Sequence, residues 1–112
     1  MNIKISNGEL LDRISILELK KLRMKDASNL AVVEQEFLEL NPKCMNLFTK
    51  NDKTIKVLYL ELSRINGKLW DLENEVRGGK LTDKEFIMSS RNIFKFNSKR
   101  SAIKKDINLI TG

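Results

Sequence analysis

The chain has 112 residues, of which 41% are hydrophobic and 32% charged, with five glycines, one proline and a formal net charge of +6. That length suits a single domain, residues 1–112, and the apolar fraction can build a core, which excludes a disordered chain. With no histidine and one cysteine, Cys44, a single chain cannot form a structural zinc site, a disulfide framework, a Cys–His pair or a Ser–His–Asp triad.

Residues 1–6 contain no apolar leader core, and no window approaches the roughly 18 uninterrupted apolar residues of a membrane span. The expected location is therefore the cytoplasm. The basic surplus is uneven: residues 1–41 carry a net charge of −1, and residues 82–112 carry +4. Lys, Asn and Ile together supply 37 residues, and all three have A/T-rich codons, so base composition accounts for part of the lysine excess.

Helix signals dominate, and no segment keeps a strand-like alternation. Ser6 and Glu9 have capping-box spacing and open a first helix over about residues 7–25. Leu10, Leu11, Ile14, Leu17 and Leu22 line one broad side, with Ile16 and Leu19 on another. The run Asp26-Ala27-Ser28-Asn29 caps a second helix through Leu30, Val33, Phe37 and Leu40. Pro42 is expected to end or kink it, because the ring lacks a donor and crowds the preceding turn.

The third helix, about residues 53–77, is the clearest element. Ile55, Leu58, Leu62, Ile65, Leu69, Leu72 and Val76 keep an unbroken 3-4 spacing, the seam of a helix packed knobs-into-holes. Gly78-Gly79 stops it. Thr82 and Glu85 then open a fourth helix, which either continues to Ile110 or breaks near Asn97-Ser98 into two. The expected fold is all-α, an antiparallel bundle of four to five helices around the third. Two stripes on one long helix exceed what so small a domain is expected to bury alone, which points to self-association as a homodimer.

Beside the leucine seam runs a second stripe of Tyr59, Asn66, Trp70, Glu73 and Arg77. An indole and a phenol beside an amide, a carboxylate and a guanidinium can line a groove for a polar ligand, or simply border a packing surface. On an unbroken fourth helix Arg100 falls between Phe96, Ile103 and Ile107, so its permanent charge needs a carboxylate. Glu73 is the first choice and Glu18 the second, with Asp71 also in range. Residues 91–105 hold six basic side chains and no acid, a nucleic-acid candidate. With Phe94 and Phe96 assigned to the core, that face lacks exposed aromatics and reads first as solvated surface.

The pairs Glu9/Asp12 and Glu36/Glu39 have the spacing of a magnesium-binding helix face. All-helical nucleotide pyrophosphatases use such pairs, in the opposite order and with more acids. Glu9 has a capping task and both pairs lie off the apolar faces, so solvated surface is the favoured reading over a nucleotide hydrolase. No glycine-rich phosphate loop is present, and no cofactor is implied.

The segments ISNGELLDRI (5–14), LWDLENEVR (69–77) and NSKRSAIKKDIN (97–108) resemble a family of small bacterial and phage proteins of unknown function. The resemblance spans nearly the whole chain and implies one domain. It marks Asn66, Trp70, Glu73, Arg77, Asn97, Arg100, Lys104 and Asn108 as motif positions. The family carries Asn-Asp where this chain has Asn97-Ser98. The reading that results is a non-catalytic, self-associating assembly module. The alternative is a small-ligand or nucleic-acid binder using the Trp70 stripe or the basic 91–105 face.

Overall fold

These patterns become four helices in a computed structural model of the chain, which describes residues 5–51 and 53–112: α1 (Asn7–Arg23), α2 (Ala27–Lys50), α3 (Lys53–Arg77) and α4 (Asp83–Thr111). Residues 1–4, most of the stretch inspected for a leader, lie outside the described residues. No described helix is long and apolar enough to cross a membrane.

Local chemistry sets most helix ends. The Ser6 hydroxyl accepts from the Glu9 N–H, and the Asp26 carboxylate accepts from the N–H groups of Ser28 and Asn29. Thr82 and Glu85 complete a reciprocal capping box at α4. Past the end of α3, Gly79 takes a φ of +67°, the left-handed geometry glycine adopts without a Cβ penalty. Glu9 does not return to the Ser6 N–H as a full box requires; its carboxylate pairs with Lys104 instead.

Two expectations about continuity are corrected or resolved. Pro42 does not end α2, which runs for 24 residues through it. The apolar face explains why: Val33, Phe37 and Leu40 before the proline continue as Cys44, Leu47 and Phe48 after it, so burial holds both halves in one register. Pro42 and Leu38 face solvent, where water can satisfy the carbonyl that loses its donor. The fourth helix does not break at Asn97-Ser98 and forms one rod of 29 residues.

Leu10, Leu11, Ile14, Cys44, Ile55, Leu62, Ile65, Leu69, Ile103 and Ile107 form the core, drawn from all four helices. Residue pairs give the helix directions. Gly8 meets Asn108 while Asp12 meets Arg100, so α1 and α4 run antiparallel. Asp12 meets Asn66 while Arg23 meets Asp71, so α1 and α3 run parallel. Arg13 clamps α2 to α1 through a two-pronged bond to Glu36 at 2.7 and 2.8 Å, and Lys21 adds Glu34.

On the α3 seam the chain itself buries Ile55, Leu62, Ile65 and Leu69; of the second stripe Asn66 is buried, Tyr59 and Trp70 are half-buried, and Glu73 and Arg77 are exposed. The surplus of apolar surface lies elsewhere. Phe94, assigned to the core from sequence, is 76% exposed, and Leu22 is 83% exposed. Phe96 packs against the core as expected.

Cys44 is 1% exposed, and burial, with the Glu18 carboxylate adding, pushes its thiol from near 9 up to about 11. The folded thiol therefore stays protonated where the unfolded one ionises. Its contribution to stability is fully present below about pH 9 and is lost as pH rises toward about 11. Tyr59 acts in the same direction, its phenol raised by burial and by Glu18. The urea midpoint should be flat below about pH 9 and fall above it, with a smaller fall in Cys44→Ala.

Candidate functional site

The polar centre of the molecule is built on α1. Gly8, Asp12 and Ser15 recur at helical spacing and are all buried, forming a narrow stripe of small and polar side chains beside the leucines. Asp12, only 3% exposed, sits where α1, α3 and α4 meet. The expectation that Glu9 and Asp12 form a solvated pair holds for Glu9, whose side chain is 54% exposed, and is overturned for Asp12. The side of α1 that looks polar on a wheel is the side α4 covers.

Arg100 reaches Asp12 from α4 with both prongs of its guanidinium: Nε donates to Oδ1 at 2.9 Å and Nη2 to Oδ2 at 2.5 Å. Asn66 adds a third donor from α3, its Nδ2 lying 2.9 Å from Asp12 Oδ1 and 2.7 Å from Ser15 Oγ. Ser15 in turn donates to the Asp12 carbonyl at 2.7 Å. Lys104 pairs with Glu9, with its Nζ 3.9 Å from Asp12 Oδ2. A buried carboxylate thus receives a paired cation and a neutral donor, the arrangement burial of charge demands. The hydrogen bonds Arg100 donates to Asp12 raise its pKa further above its ordinary value, against the opposing effect of burial.

The partner expected for Arg100 is therefore corrected. The carboxylate comes from the first helix, as one of the two helices considered, but it is Asp12. Glu73 lies close enough to act on Arg100 through space, Glu18 lies beside Tyr59 and Cys44, and Asp71 pairs with Arg23 at 2.8 Å. Three of the four acids of the supposed magnesium faces are committed to cations, Glu9 to Lys104, Asp12 to Arg100 and Glu36 to Arg13, while Glu39 is exposed. Among the described residues no three acidic or cysteine side chains converge to hold a metal.

At the α1–α4 crossing, the Gly8 N–H donates to Asn108 Oδ1 at 2.7 Å and Asn7 Nδ2 to Thr111 Oγ1 at 2.8 Å. This gives Asn108 a structural task, since it accepts one of the N–H groups that a helix start leaves without an internal partner. Spacing alone shows no such link across 100 residues; the only hint is a glycine inside the first turn of a helix, where a missing Cβ permits close approach.

Of the second α3 stripe, Asn66, Trp70 and Glu73 come together with Arg100 around a small open cleft of about 110 Å³ whose other walls are Ile16, Leu19 and Leu69. Tyr59 is not part of it. Its ring packs edge-on against Phe48 at 5.4 Å, and its hydroxyl is buried with Glu18 and Ser63 near but neither completing a hydrogen bond. Arg77 bonds Asn74 at the end of α3 and does not face the cleft. Asn97 is half-buried three residues before Arg100, with no side-chain hydrogen bond among the described residues. Arg23 lies over the Trp70 ring at 5.9 Å while paired with Asp71.

No curated protein and no solved structure gives a significant match to the chain. A family profile matches residues 1–112 in full, covering every residue of the network and the cleft. The chain belongs to the family of unknown function DUF6165.

Proposed function

We propose that the chain is a non-catalytic, cytoplasmic assembly module that pairs with a second copy of itself through the first three turns of α4. The observation that carries this reading is the surface around Ser90. Phe86, Ile87 and Phe94 are 47, 50 and 76% exposed and, with Ser90 and Arg91, line an open groove of about 370 Å³. A concentrated apolar patch of this kind is what a soluble chain normally keeps covered.

The patch fits a copy of itself. Ser90 lies midway between Phe86 and Phe94, so a two-fold axis through Ser90 with antiparallel helices sets each Phe86 against the partner's Phe94. The small Ser90 lets the backbones approach. Such an isologous contact closes on itself as a dimer. The basic 91–105 face is a weaker basis for binding nucleic acid, because Arg100 and Lys104 turn inward to Asp12 and Glu9.

Sedimentation velocity over a micromolar concentration series should show a dimer. Phe94→Glu should give a monomer with unchanged helicity, since Phe94, 76% exposed, touches little of its own chain. A wild-type monomer at every concentration rejects this reading.

A further inference from the structure

The cleft between α1, α3 and α4 is independent of the α4 patch, and its chemistry is specific. Three groups face it with capacity to spare. Arg100 spends Nε and Nη2 on Asp12, which leaves Nη1 held in a fixed plane. Asn66 spends its amide nitrogen on Asp12 and Ser15, which leaves its carbonyl oxygen as an acceptor. Glu73 has neither an ion pair nor a hydrogen bond among the described residues. The remaining walls are Ile16, Leu19, Leu69 and the indole of Trp70.

Charge decides what fits. Asp12 neutralises Arg100 and Glu9 neutralises Lys104, so Glu73 leaves the neighbourhood one negative charge in excess. A phosphate or simple carboxylate would meet a cation already matched and a carboxylate that repels it. A molecule bringing an ammonium for Glu73 and the Asn66 carbonyl, together with a carboxylate for Arg100 Nη1, satisfies all three groups. We propose that this cleft binds a free, zwitterionic α-amino acid with a small apolar side chain, which its size and its aliphatic walls accommodate.

Trp70 is the only tryptophan, so its fluorescence reports directly on the site. Titration of the full chain with L-valine should give a saturable change in emission. Isobutylamine and isovalerate, each missing one charged group of valine, should bind at least ~10-fold more weakly, the usual loss for one charge-assisted hydrogen bond. Glu73 is exposed, so Glu73→Gln should fold normally and weaken valine binding by a similar factor. Amide chemical-shift changes with valine should be confined to the residues lining the cleft. No saturable response to valine, an equal response to isovalerate, unaltered binding by Glu73→Gln, or shift changes away from the cleft would each overturn the proposal.

Discussion

Arg100→Met should destabilise the fold by about 3–5 kcal/mol in urea unfolding, the cost of leaving a buried carboxylate without its cation. Asp12 is the reason for the size of the effect. Its side chain is 4% exposed, against 28% for Arg100, so the acid cannot recover water when the guanidinium is removed. Asn66 still donates one hydrogen bond and Lys104 stays 3.9 Å away, but neither replaces a two-pronged partner. The pair is best tested as a cycle. Asp12→Leu alone should also be costly, whereas Asp12→Leu with Arg100→Met should recover much of the loss, because apolar groups of similar volume substitute well for a buried pair. A loss below about 0.5 kcal/mol for Arg100→Met would be the behaviour of a surface residue and would contradict the burial described above.

Gly8→Ala should be the most damaging of the conservative changes. A methyl at this position would fall well inside van der Waals contact of the Lys104 carbonyl oxygen, 3.0 Å from the Lys104 carbonyl carbon and 3.1 Å from Asn108 Oδ1. The obstruction is mainly backbone, so α1 and α4 must separate, which stretches the Gly8–Asn108 hydrogen bond and the neighbouring Lys104–Glu9 pair. Overpacking of this kind costs about 1–3 kcal/mol, and the lost hydrogen bond adds about 1 more. Gly67→Ala supplies the contrast. Gly67 lies inside α3, and an added methyl would meet only Arg23 Nη2 at 3.7 Å and Leu19 Cδ2 at 3.9 Å, ordinary contact distances. Helix propensity then prevails, and the variant should gain about 0.5–1 kcal/mol. Thermal unfolding of the two variants side by side measures the difference, and similar shifts in Tm would mean that the α1–α4 crossing is looser than described.

The helices were legible wherever local chemistry suffices. The 3-4 spacing from Ile55 to Val76, the stop at Gly78-Gly79 and the Thr82–Glu85 box delimit α3 and the start of α4 as found, because heptad burial and capping act within a few residues. The burial of Arg100 was equally readable, since Phe96, Ile103 and Ile107 surround it on a continuous helix. Its partner was not. Asp12 lies 88 residues away, and a wheel ranks the sides of a helix by hydrophobicity without showing which helix will cover them. The glycine that lets α4 close over Asp12 carries no periodic signal. Pro42 and Phe94 depart from expectation for related reasons. Burial of Cys44, Leu47 and Phe48 outweighs a local helix breaker, and the placing of α4 leaves an aromatic in water that its residue type alone assigns to a core. Secondary structure here follows from neighbours in the chain, whereas the polar centre and the exposed patch follow from how four finished helices stack.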